Sequence, residues 1–139
     1  MMRVLVILVA FLMFSASLAV AQTHPCDLTY PTSGTGVVGP HPLKLCHPGT
    51  DASGTAPVTS WELYIDGAGG ATITMTTNGI ANAAGLKEYT ATVQALLGTH
   101  TYEVSAVNSI GESAKSAPFT FVATPAPTAP ASPVKVRVG

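Results

Sequence analysis

Strict alternation of apolar and polar residues is the dominant pattern in this chain. Along Val58–Asp66, Trp61, Leu63 and Ile65 alternate with Ser60, Glu62 and Tyr64. Along Thr101–Val107, Tyr102, Val104 and Ala106 alternate with Thr101, Glu103 and Ser105, and further on Phe119, Phe121 and Ala123 alternate with Thr120 and Val122. Successive side chains of an extended strand point to opposite faces, so a period of two predicts strands that each bury one face. The same reading places strands at Pro42–His47 (Leu43 and Leu45 inward, Lys44 and Cys46 outward), at Ala71–Thr76 (Ile73 and Met75 together) and at Leu86–Gln94 (Tyr89, Ala91 and Val93 inward). A short strand or extended edge at Cys26–Tyr30, stopped by Pro31, completes the count.

Between these runs lie turn signals. Asp66-Gly67, extended by Gly69-Gly70, and Asn78-Gly79 read as turns, and residues 80–86 read as irregular. Thr32–Pro42 carries Gly34, Gly36, Gly39, Pro40 and Pro42, which predicts a loop with a brief edge strand at Val37-Val38. No helical period occurs. The expected fold is all-β: a sandwich of about seven antiparallel strands in two sheets. The first, second and fifth strands form one sheet and the third, fourth, sixth and seventh the other. Its expected core is Trp61, Leu63, Ile65, Leu96, Tyr102, Val104, Phe119 and Phe121. Burying a side chain of this kind stabilises by about 1.5–3 kcal/mol.

Leu96, Gly98 and Tyr102, followed by Val104, Ala106, Val107, Asn108, Gly111, Glu112 and Ser113, resemble the closing strands of a fibronectin type III domain, within the immunoglobulin-like superfamily. The resemblance covers about residues 40–123 and is strongest over 96–121. It implies a tyrosine corner, with the Tyr102 hydroxyl bonded to nearby backbone and Leu96 plugging the core below it. A buried tyrosine needs such a partner in any case. The sequence departs from the family late in the second strand, where Leu45-Cys46-His47 stands in place of a Trp. Trp61, one strand later, fits a more general immunoglobulin-like sandwich. The resemblance speaks to fold and not to activity.

The first 21 residues are set aside as a signal peptide. Arg3 opens it, Val4–Phe14 is almost wholly apolar, and Ala19-Val20-Ala21 has the form of a cleavage site. The apolar run is too short to span a bilayer, so no stable membrane anchor is expected after cleavage, a retained anchor being the alternative. The sandwich is assigned to 22–123, a Pro/Ala/Thr-rich linker to 124–133 (TPAPTAPASP) and a C-terminal tail to 134–139 (VKVRVG). The tail alternates like a strand without a partner in sequence; it is read as a disordered segment or as a strand for another sheet or chain. Of the six Lys and Arg, Arg3 lies in the signal peptide. That leaves 6 − 1 = 5 against seven Asp and Glu, a net charge of 5 − 7 = −2. No basic patch remains to hold phosphate, which argues against nucleic-acid partners. Two cysteines in an exported chain predict a Cys26–Cys46 disulfide. Closing a loop of that length stabilises by about 3 kcal/mol.

Candidate chemistry is sparse. His24, Cys26, His41, Cys46 and His47 gather metal-ligating types in a short stretch, but without C-x2-C or H-x3-H spacing, so no metal and no cofactor is expected. Ser60 and Ser105 sit on strands outside any G-x-S-x-G elbow. Glu62 and Glu103 face outward on adjacent strands, as a solvated surface does. No catalytic residue is assigned. The candidate binding surface is the loop Asn108–Lys115, in particular Asn108, Ser109, Ile110, Gly111, Glu112 and Ser113, with Tyr64 and Val107 as an adjoining contact patch. The expected function is a secreted, cell-surface or periplasmic non-catalytic protein, engaged in protein binding, adhesion or spacing with a protein or glycan partner outside the cytoplasm. The alternatives are a carbohydrate-binding module stacking sugars on Tyr30 or Tyr64, and a small metal-binding protein.

Overall fold

A computed structural model describes residues 22–129. Residues 1–21, read above as a signal peptide, the end of the stretch read as a linker, and residues 134–139 lie outside the described residues. The described residues form eight strands in two sheets. β1 (Ser33–Val37), β8 (Phe119–Thr124), β7 (Gly98–Val107), β3 (Ser60–Ile65) and β4 (Ala68–Ile73) make the larger sheet, in that order. β2 (Gly39–His47), β6 (Lys87–Ala95) and β5 (Thr76–Ala81) make the smaller one. Among the described residues no helix is long and apolar enough to cross a membrane.

The alternating stretches are the interior. Trp61, Leu63, Val93, Tyr102, Val104 and Ala106 form a buried cluster drawn from both sheets, and Leu43, Leu45, Ile65, Ile73, Met75, Tyr89 and Phe121 pack against it. Trp61 sits 4.9 Å from the Tyr89 ring and 5.1 Å from His47, which meets it edge-on at 84°. Such tilted contacts suit the ring quadrupoles. Between β3 and β4, Ile65 pairs with Ala68 across a two-residue turn whose φ values are 53° at Asp66 and 75° at Gly67. Positive φ at both positions is a primed turn, the kind that matches strand twist.

Four expectations are corrected. First, Cys26–Tyr30 is no strand: Pro25–Asp27 is a 3₁₀ turn, capped by His24 Nδ1 accepting from the Cys26 amide at 3.1 Å. Second, the stretch 32–42, read as a loop with only a brief edge strand at Val37-Val38, supplies all of β1 and the start of β2, and β1 runs parallel to β8, not antiparallel. Its glycines make room for rings. A Cβ on Gly36 would lie 2.7 Å from Phe121 Cζ and 2.9 Å from His41 Cε1. Third, the turn at Asn78-Gly79 lies inside β5, as an irregularity between Thr77 and Ala81. Likewise Gly69 and Gly70, read as turn, belong to β4, opposite a register shift at Leu63/Tyr64.

Fourth, Leu96 does not plug the core; it is 44% exposed. Ala91, Val93 and Ala95 take the inward positions of β6, so Leu96 falls out of phase. Its backbone does the work at the corner. The Leu96 amide donates to the Tyr102 hydroxyl at 3.2 Å, and that hydroxyl donates to Gln94 O at 3.3 Å. Ile65, Phe119 and Phe121 are half-buried.

Candidate functional site

β8 pairs with β7 only over Gly98–Tyr102, so the upper half of β7 lacks that neighbour. The segment after the Asn108 turn takes its place. Ser113 N donates to Ala106 O and Ser116 N to Val104 O, each at 2.8 Å. The two serine hydroxyls accept in return from Ala106 N at 3.0 Å and Val104 N at 3.1 Å. A serine can do this because its short hydroxyl mimics a backbone acceptor. Half of the candidate binding loop is therefore a pinned edge.

The turn itself is held from inside. Asn108 Oδ1 accepts from Ile110 N at 2.9 Å and Gly111 N at 3.2 Å, and Asn108 N donates to Gly111 O at 3.0 Å. Asparagine favours such side-chain-to-backbone turns, and Gly111, at φ 152°, takes a conformation few other residues adopt. Ile110, at the tip, is 74% exposed.

Glu112 locks the far side. It accepts from the Tyr64 hydroxyl and, at 2.5 Å, from Ser105 Oγ. Those two bonds, the Ser105 one first, hold its carboxyl below the usual range, and the carboxylate in turn pushes the Tyr64 phenol up. Ser105, expected to face solvent, is 1% exposed. Lys115 Nζ lies 3.9 Å from the Tyr64 ring centroid, 3.9 Å from Glu103 Oε2 and 3.3 Å from Gly67 O. The exposed tyrosine expected as a contact patch is thus a clamp for the loop.

A second loop faces the turn. Asp51 accepts from Thr55 N at 2.8 Å, Ala56 N at 2.9 Å and Ser53 Oγ at 2.5 Å. Led by the Ser53 bond, these hold its carboxyl down to about 2. An Asp with Ser and Thr two and four residues on makes this an Asx-type turn. Between the two loops lies an open groove of about 530 Å³, lined by His47, Asp51, Val58, Val107, Asn108 and Ile110 among others. Burial lowers the His47 pKa, and its Nδ1 accepts from Gly49 N at 2.9 Å. The polar groups of the walls are engaged in holding the loops. What they present outward is an apolar tip beside a mildly acidic groove.

The remaining candidates are dispersed. Cys26 and Cys46 form the disulfide, with S–S 2.03 Å. His41 Nε2 lies 2.7 Å from Val37 O, and His24 Nε2 3.2 Å from Ile80 O. Among the described residues no three His, Cys, Asp or Glu converge as a metal site would require. Glu62 sits opposite Ser105 and Glu103 opposite Tyr64; Glu62 accepts from Thr72 Oγ1 at 2.8 Å, and Glu103 faces Lys115. The Tyr30 hydroxyl donates to Glu88 at 2.6 Å beside Cys46; burial, then Glu88, pushes its pKa up to about 12. Of the two proposed sugar platforms, Tyr64 has one ring face covered by Lys115, while Tyr30 is tied only through its hydroxyl. The sequence reading also missed the pair Asp66–His100, at 2.7 Å.

A scan against protein-family models, a search of curated proteins and a search of solved structures each return no match for this chain.

Proposed function

We propose that this chain is an exported, non-catalytic module of the immunoglobulin-like or fibronectin-type-III-like kind, which binds a protein partner through its Asn108–Ser113 end in adhesion, scaffolding or spacing. One observation carries the reading. The Asn108 turn is fixed by bonds on both sides, yet it holds the apolar side chain of Ile110 out at 74% exposure beside a groove. An exposed apolar anchor on a pre-ordered loop binds with little further loss of entropy.

The finer fold reading draws on strand order. β2-β6-β5 follows the order of strands B-E-D, and β8-β7-β3-β4 that of G-F-C with one further edge strand, while the first strand, β1, lies beside β8 instead of β2. The tyrosine-corner bond from Tyr102 to Gln94 supports it. The Cys26–Cys46 bridge differs from the inter-sheet disulfide of antibody domains: it ties the N-terminal turn to β2. Export draws on the pattern of residues 1–21 and agrees with that disulfide. The glycan reading has less support at Tyr64, whose ring carries Lys115 over its face.

The test is affinity capture from the source culture medium with residues 22–139 immobilised, beside an Ile110→Asp variant whose Trp61 fluorescence shows it folded. The proposal expects a partner held by the first and lost by the second. Equal capture by both, or capture by neither, contradicts it.

A further inference from the structure

Among the described residues the smaller sheet has a vacancy beside β6. β5 pairs with β6 at Thr76–Thr90, Thr77–Tyr89 and Ala81–Lys87, and the ladder stops at Thr90. Among the described residues no strand pairs with Ala91–Ala95 on the side away from β2. Proline fixes what points there. Pro40 and Pro42 stand opposite Gln94 and Thr92 and have no N–H to give. Those pairs therefore occupy the non-hydrogen-bonded positions of the antiparallel ladder, and the N–H and C=O groups of Thr92 and Gln94 face the open side. The Tyr102 hydroxyl uses Gln94 O. Thr92 N–H and C=O are left beside a cleft of about 540 Å³ lined by Ile73, Thr74, Thr76, Thr90, Ala91 and Thr92, and Gln94 N–H lies farther along the same edge of β6.

We infer that residues 134–139 of the same chain dock in this vacancy as a ninth strand, antiparallel to β6. Three observations converge. In VKVRVG, Val134, Val136 and Val138 alternate with Lys135 and Arg137. That pattern puts valines inward beside buried Ala91 and Val93 and charges outward beside exposed Thr92 and Gln94. The linker starts at the right end: Val38 N bonds Thr124 O at 2.9 Å, and the next residue, Gly39, pairs with Ala95. So β8 and β6 finish together, and a tail entering at Ala95 runs in the same direction as β5, completing its ladder. Finally, the reach suffices. The nine residues 125–133, if extended as polyproline at ~3.1 Å each, would span ~28 Å. Crossing from β8 to the cleft takes three strand spacings of ~4.8 Å and one sheet separation of ~10 Å. Docking would also cover a bare sheet edge that otherwise invites pairing between molecules.

Amide hydrogen exchange tests this on residues 22–139, on a chain ended after Pro133, and on Val136→Asp. The inference expects the Thr92 and Gln94 amides to be protected in the full chain and to exchange at least ~10-fold faster in both altered chains, with the Val104 amide in β7 unchanged. Equal exchange in all three overturns it. Protection that fades on dilution, together with a dimer on size exclusion, also overturns it and assigns the cleft to a second copy's tail. Neither outcome touches the Ile110 surface.

Discussion

The Tyr102 hydroxyl donates to the Gln94 carbonyl at 3.3 Å, joining the start of β7 to the end of β6 across the turn between the sheets. Tyr102 is only 4% exposed, so removing the hydroxyl leaves that carbonyl and the Leu96 amide short of a partner in a half-buried place. Tyr102→Phe is expected to cost about 1–2 kcal/mol. For a domain of this size that lowers the thermal midpoint by about 4–8 °C per kcal/mol, readable by circular dichroism. An unchanged midpoint would show the corner bond to be incidental.

The disulfide closes a loop across a sequence separation of 20 residues. It holds the 3₁₀ turn against β2, helped by Asn82 Nδ2 donating to Asp27 at 2.7 Å. Replacing both cysteines by serine is expected to lower stability by about 3 kcal/mol in urea unfolding, with β7 amides still protected. A double variant as stable as the parent contradicts this.

Gly36 marks the limit of what could be read from sequence. Where the code was alternation, reading was direct: Trp61, Leu63, Tyr102 and Val104 lie buried as their period requires, and Asp66-Gly67 makes the turn its residues favour. β1 was legible only as a brief edge strand at Val37-Val38 because its inward positions are Gly34 and Gly36, and glycine signals a turn unless the rings that fill its space are known. Phe121 and His41 supply those rings from distant positions. The candidate site shows the same split. Asn108 and Gly111 announced a turn, but the Tyr64–Glu112–Ser105 clamp spans 48 residues of sequence and no local pattern encodes it. Gly36→Ala is expected to lose about 1–3 kcal/mol through overpacking, in the same unfolding assay. A neutral result would mean that β1 is not pressed against Phe121.

Two histidines should titrate in opposite directions. His100 is held above its ordinary value, chiefly by its bond to Asp66, and Asp66 is held below its own, chiefly by the Thr101 amide. A raised histidine pKa adds stability that is complete below the unfolded value of ~6.5 and is lost as pH rises through the folded value; a depressed carboxyl adds stability present above ~3.8 and lost as pH falls. The pair therefore contributes most between about pH 4 and 6.5. His47, with its pKa lowered by burial, works the other way and opposes folding as acid charges it. Proton NMR of the imidazole resonances should show His47 titrating below, and His100 above, the ordinary histidine value. The reverse order would contradict the assigned surroundings.

Trp61 is the only tryptophan, so its indole resonances are unambiguous. Two facing sheets put that ring 4.9 Å from Tyr89 on β6 and 5.1 Å from His47 on β2, while its own strand pairs with β4 and β7. Nuclear Overhauser contacts from the Trp61 indole in residues 22–139 are expected to reach the Tyr89 and His47 rings across the interior. An indole whose contacts stay within β3, β4 and β7, and which acrylamide quenches freely, would mean that the sheets do not close over it.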